Sequence, residues 1–187
     1  MPADAAITIR TAVPEDAPGL ATMHSASWAH AYKGIIPDEH LAAQTPERRL
    51  TQWQPMLAKV QAEPETQTVF VGVDAAGGVQ GFVHGGVERV KDTPWQGEIY
   101  ALYLHPTNWR RALGSRLVGH MAAWLAARGH GTMRLWVLEQ NPARGFYERI
   151  GGRLLTDTNE VAFGAVKLQH WSYGWDDVAA LAARLPR

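Results

Sequence analysis

One stretch limits the folds open to this chain more than any other. Glu98–Leu104 (EIYALYL) is a nearly continuous apolar strand, the pattern of a strand near the centre of a sheet. Ala112–Arg128 follows as a helix, with Leu113, Leu117, Met121 and Leu125 along one face and Gly129 to end it. Met133–Leu138 (MRLWVL) is then a second buried strand. Strand, helix and strand in that order call for a sheet with a helix packed on it, so the fold class is α/β or α+β.

The flanking segments fill in the layers. Ala6–Val13 alternates as a strand, and Pro14-Glu15-Asp16 opens a helix that runs to about Tyr32. Gly34–Pro37 breaks it. Thr45-Pro46-Glu47 opens another helix with Leu50, Trp53, Leu57 and Val60 as its apolar stripe, and Pro55 predicts a kink or a split there. Thr68–Val73 and Val79–Val90 read as a hairpin around Ala75–Gly78. Asn141-Pro142 starts a short helix that ends at Gly151-Gly152, and strands are expected at Arg153–Leu155 and Val161–Trp171. Asp176 caps a last helix bearing Val178, Leu181 and Leu185. The expectation is a single domain over 1–187, with a core over 6–171 and a helical tail over 172–187. Its sheet is mixed and mostly antiparallel, with about six or seven strands flanked by helices.

Composition removes several functions. The 18 Lys and Arg balance the 18 Asp and Glu, so no basic excess points to nucleic acid. No apolar run approaches the roughly 18 residues of a membrane span, and the N-terminus lacks a basic start followed by an apolar stretch. A cytoplasmic protein is expected. There is no cysteine, which excludes thiolate metal sites and a cysteine acyl-enzyme. No two of the eight histidines have the local spacing of a metal pair, so no metal is expected.

The segment between the two central strands carries the chemical signal. Arg110 and Arg111 sit where a helix begins, a place where cations oppose the helix dipole. An anion held between them and the exposed amides would reverse that effect, and the small residues Ala112, Gly114 and Ser115 would let it approach the backbone. A solvated arginine pair is the alternative. The segment offers none of the glycine patterns GxxxxGK[ST] or GxGxxG.

Trp109-Arg110-Arg111-Ala112-Leu113-Gly114 resembles the acetyl-CoA motif Q/R-x-x-G-x-G/A of the GNAT superfamily of N-acetyltransferases, with Trp109 and Ala112 as departures. Asn141–Gly151 (NPARGFYERIG) is similar to the same family's N-x-x-A-x-x-F-Y-E-x-x-G, one residue shorter. Ser27–Pro37 (SWAHAYKGIIP) resembles a bacterial branch with an aromatic first-helix end and a G-I-x-P turn. The resemblance implies central parallel strands that splay, and acetyl-CoA as cosubstrate. It places the coenzyme on Trp109, Arg110, Arg111, Ala112, Leu113, Gly114 and Ser115, on the strand at Leu102, Tyr103 and Leu104, and on Asn141, Phe146 and Tyr147. It implies an amine acceptor, a small molecule or a peptide, beside Trp28, Tyr32 and Ile36. An N-cap role for Asn141 and plain packing of Trp28 on Tyr32 stay open.

Acetyl transfer needs a base for the amine, a donor for the carbonyl oxygen and a proton for the leaving thiolate. By the resemblance Glu98 is the base and Tyr147 the acid. Strand alternation puts Glu98, Tyr100, Leu102 and Leu104 on one face. A solvated strand-end carboxylate and a core tyrosine are the alternatives, and Tyr100 or a water chain to His105 would be next in line as base. A non-catalytic acyl-CoA-binding module is the rival to an enzyme. Eight tryptophans and the apolar C-terminal helix also suggest a homodimer.

Overall fold

The computed structural model describes residues 7–109 and 111–186. Strand β1 (Thr8–Thr11) leads through a 3-10 turn into helix α1 (Ala17–Ala31), and a short helix α2 (Asp38–Ala42) precedes α3 (Pro46–Ala62). Strands β2 (Gln67–Val73), β3 (Val79–Val87) and β4 (Gly97–Leu104) follow, then α4 (Leu113–Ala127) and β5 (Met133–Leu138). Helix α5 (Arg144–Arg149), the hairpin β6 (Arg153–Phe163) and β7 (Val166–Trp175), and α6 (Val178–Arg184) complete the chain.

The seven strands form one sheet in the order β1-β2-β3-β4-β5-β7-β6. Every neighbouring pair is antiparallel except β4 and β5. Those two run parallel and pair only at Gly97 with Met133, Glu98 with Arg134 and Ile99 with Leu135. Beyond that seam β4 continues to Leu104 and β5 to Leu138 without pairing to each other, which leaves a notch in the middle of the sheet.

Helices cover both faces. Leu113, Leu117, Met121 and Leu125 of α4 are fully buried, as their spacing predicts, together with Val83, Ile99 and Tyr173. Burying each such side chain contributes roughly 1.5–3 kcal/mol. Helices α1 and α3 cover the other face through Leu20, Trp53, Leu57 and Val60, which pack with Phe82 of β3. Val178 and Leu181 of α6 pack into the α4 layer, so these residues of the C-terminal apolar stripe are used within the chain.

Several expectations change. Helix α3 passes through Pro55 unbroken; Pro55 and Thr51 are exposed, so water can take the Thr51 carbonyl that the proline cannot bond. The residues from Arg153 to Trp175 form one hairpin that turns at Gly164, with φ of 63°, and β7 therefore runs into the expected tail. Helix α5 starts at Arg144 after a turn, later than Asn141-Pro142 suggests, and β3 stops at Val87.

One change bears on the site. His84 pairs with Ala101 but Gly85 pairs with Ile99, so Tyr100 is an extra residue, a β-bulge. Ile99, Leu102 and Leu104 consequently all pack in the α4 layer, while Ala101 and Tyr103 pack under α1 and α3. Glu98, next to Ile99, faces away from α4. The single face expected for Glu98, Tyr100, Leu102 and Leu104 is thus overturned, because an added residue inverts the alternation beyond it.

Candidate active site

The notch between β4 and β5 opens into a cavity of about 1240 Å³, which α1, the β4–α4 loop and α5 also line. The site residues expected from sequence converge on it. Trp28, Tyr32, Glu98, Leu102, Tyr103, Leu104, Trp109, Arg111, Ala112, Gly114, Ser115, Asn141, Phe146 and Tyr147 all line it. Leu113 and Ile36 are buried outside the lining, Leu113 in the α4 layer and Ile36 behind Tyr32. Arg110 lies outside the described residues.

At one end the backbone supplies donors. The His105 N–H bonds the Gln80 carbonyl of β3 at 2.8 Å. Amides alternate along a strand, so the N–H groups of Leu102 and Leu104 point the other way, into the notch where β5 no longer pairs. The next donors come from the start of α4, where the Arg116 N–H bonds the Ala112 carbonyl at 3.0 Å. The amides of Leu113, Gly114 and Ser115 precede it and are free for an anion at the helix N-terminus.

Ala112 adopts φ 60° and ψ −6°, the left-handed conformation usual for glycine. It stands at the first glycine position of the motif, so this chain keeps the backbone shape without the residue that adopts it freely. The strain is roughly 1–2 kcal/mol, and glycine would return part of it as added freedom of the unfolded chain. Ala112→Gly should therefore raise stability by about 0.5–1 kcal/mol, read as a higher melting temperature. Gly114 is needed for a different reason: a Cβ there would come 3.2 Å from Phe146. The two motifs of the sequence meet at that contact. Trp109 sets its ring 4.6 Å from that of His30 and so ties the loop to α1.

The other end is aromatic. Trp28 and Tyr32 stack edge to face at 4.8 Å, and the Tyr32 and Tyr103 hydroxyls are hydrogen-bonded at 2.9 Å. Asn141 sits beside them, its side-chain oxygen accepting from the Ala143 N–H at 2.9 Å. Tyr147 is buried, and burial pushes its phenol well above the ordinary range, so it is protonated at neutral pH.

Glu98 is 2% exposed and is held by Arg89. Arg89 Nε donates to Oε2 at 2.9 Å and Nη2 to Oε1 at 2.5 Å, while the Arg89 guanidinium covers the Tyr100 ring at 4.2 Å. Tyr100 donates its hydroxyl to the Val87 carbonyl, and burial pushes its pKa up to about 12. Its role as a base is closed by that geometry. His105 is tied up with Thr107 at 2.7 Å.

Arg89, Trp136, Phe163 and His170 line the cavity without having been singled out from sequence, and Tyr100, the alternative base, lines it too. Burial lowers the pKa of His170, leaving a neutral imidazole in the wall. No local signal marked Arg89: it follows the end of β3, and only the β3–β4 register brings it to Glu98. Among the described residues no group of His, Asp or Glu could hold a metal, and no helix is long and apolar enough to cross a membrane.

Comparison with known proteins agrees with this geometry. The family model of FR47-like proteins matches residues 81–161. An uncharacterized N-acetyltransferase of Bacillus subtilis strain 168, YuaI, is 33% identical over 182 residues, covering 97% of this chain and 99% of that protein. The fold matches the PaiA N-acetyltransferase of Thermoplasma acidophilum in complex with coenzyme A, with a TM-score of 0.72 at 19% identity over 91% of this chain and 99% of that one. It also matches YncA of Salmonella typhimurium with its cofactor acetyl-CoA, at a TM-score of 0.66 and 22% identity over 91% and 94% of the two chains.

Proposed function

This chain belongs to the GNAT superfamily of N-acetyltransferases, and from that premise we propose that it moves the acetyl group of acetyl-CoA directly onto a primary amine while both are bound. The observation that carries this reading is the single notch into which Tyr147, Glu98 and the outward amides of β4 all open. One cavity can then hold both reactants, and no cysteine is present to carry the acetyl group between them.

The residues fit coenzyme A. The left-handed Ala112, the close approach at Gly114 and the helix amides form a cradle for a pyrophosphate, with Arg111 and Ser115 in the lining. Leu102 and Leu104 offer the strand amides to the pantetheine arm and the acetyl carbonyl, where a fixed donor stabilises developing negative charge. Acetyl-CoA when bound supplies the activated acyl group.

Glu98 serves as the base, through a water. A carboxylate has about four lone-pair sites, and Arg89 takes only part of that capacity. Tyr147 is the acid: its buried phenol carries a proton at neutral pH that it can give to a leaving thiolate. Trp28, Tyr32 and Tyr103 form the acceptor wall, which favours a partly aromatic or apolar amine.

A panel of primary amines assayed for thiol release with acetyl-CoA tests the reading. Calorimetric binding of acetyl-CoA with no thiol released from any amine would leave a non-catalytic acyl-CoA module instead. Tyr147→Phe should lower kcat by about 10²-fold or more while the KM for the amine barely moves. An unchanged kcat would remove Tyr147 from the chemistry.

A further inference from the structure

Arg49 is 7% exposed and lies between α1 and α3. Its guanidinium sits 4.4 Å from the centre of the Trp28 ring, and Nη1 donates to Gln52 Oε1 at 3.2 Å. Nε and Nη2 are buried and have no protein partner among the described residues, and no carboxylate pairs with the group. A buried cation is costly unless it is paired. Around it are further buried groups without a protein partner: Trp28 Nε1, both ring nitrogens of His24 and Ser25 Oγ.

Nε and Nη2 form the side-on fork of a guanidinium, which matches the two oxygens of a carboxylate. Elsewhere in this chain that fork takes carboxylates, on the surface in Arg153 with Asp176 and in two more enclosed pairs. Arg89 uses the same two atoms on Glu98, and Arg134 uses them on Glu88 at 2.8 and 2.9 Å. Arg49 does not itself line the cavity; its guanidinium lies directly behind the wall residue Trp28. Trp28, which covers the guanidinium, lines the cavity, and the Arg49 charge acts on the Tyr103 and Tyr32 phenols in the cavity wall.

We propose that the amine acceptor carries a carboxylate, and that the Nε–Nη2 fork of Arg49 receives it just behind the α1 wall of the cavity, the Trp28 indole shifting to admit it. This deepens the acetyltransferase reading and rests on it: the acceptor class becomes amino acids with an aromatic or apolar body. The indole of Trp28 would pack on that body.

The test uses matched pairs that differ only in the carboxylate: phenylalanine with 2-phenylethylamine, tryptophan with tryptamine, and 4-(aminomethyl)benzoate with benzylamine. Thiol release from any of them supports the acetyltransferase reading alone. The wild type should favour the acid of at least one pair tenfold or more in kcat/KM. Arg49→Met should collapse that ratio to near one, chiefly through KM for the acid, with the melting temperature held or raised. A purely structural Arg49 predicts instead a lower melting temperature and equal losses for acid and amine.

Calorimetry separates failure of this inference from failure of the catalytic reading. N-acetylphenylalanine and its amide are titrated into protein saturated with coenzyme A. Tighter binding of the acid, weakened at least tenfold by Arg49→Met, upholds the carboxylate site whether or not any amine turns over. Overturning results are equal affinity of acid and amide, no binding of the acid, acid binding that Arg49→Met leaves unchanged, or acid and amine turned over alike by the wild type.

Discussion

A Glu98→Gln enzyme should turn over about 10²–10⁴-fold more slowly than the wild type at neutral pH. The deficit should narrow as pH rises. The amine must lose a proton before or during attack, and at neutral pH an aliphatic amine is overwhelmingly protonated, having a pKa near that of a lysine, about 10.4. Glutamine keeps the volume and an acceptor for Arg89 but cannot take the proton. At high pH solvent deprotonates the amine and the missing base matters less. The change trades the Arg89 pair for a neutral hydrogen bond, and Arg89 is 59% exposed, so the fold should survive. A melting curve checks that, and a pH series of kcat reads the effect. Near-normal kcat at neutral pH in a folded variant would take Glu98 out of the role and point to His170, the neutral imidazole in the same wall.

Arg134→Leu should destabilise the protein by about 3–5 kcal/mol. Arg134 and Glu88 are each 3% exposed and joined by two hydrogen bonds, and Arg134 also reaches Asp157 at 3.3 Å. Removing the cation strands the Glu88 carboxylate where water cannot replace its partner. At 2–4 °C per kcal/mol for a chain of this size, melting should fall by roughly 6–20 °C. Arg134→Leu with Glu88→Leu should recover much of the loss, because a matched apolar pair carries no buried charge. A loss under 1 kcal/mol in the single variant would mean that water reaches Glu88 freely. Activity should fall as well, since Arg134 is the partner of Glu98 across the seam where β4 and β5 part.

The sequence is most informative where one periodicity dominates. The α4 stripe, the two central strands and the capped start of α3 at Thr45 were all legible, the last because its hydroxyl accepts from the Arg48 N–H at 3.3 Å. The start of α4 was legible too, since a helix start is a local signal. What escaped depends on pairing between distant segments. The Tyr100 bulge cannot be seen in EIYALYL alone; it exists only against the register of His84 and Gly85. The Glu98 face was therefore misread, and with it the Arg89 partner across the hairpin. Arg49 stood among charged residues on a helix that reads as half polar, and only the packing of α1 on α3 buries it. Gly164 looked like a residue within a strand until the pairing of Phe163 with Val166 made it a turn.

The three-pair seam has a thermodynamic consequence. It joins a half-sheet of four strands to one of three, and the notch beyond it presses any ligand against both halves at once. Such a ligand acts as a clasp: it binds the joined sheet and has no comparable site once the halves part. Linkage then adds about 2.7 kcal/mol at a free concentration one hundred times the dissociation constant. Under the proposed function, persistence of the folded chain in a cell would track the supply of coenzyme A and its acyl forms, and their depletion would expose the protein to proteolysis as well as idling it.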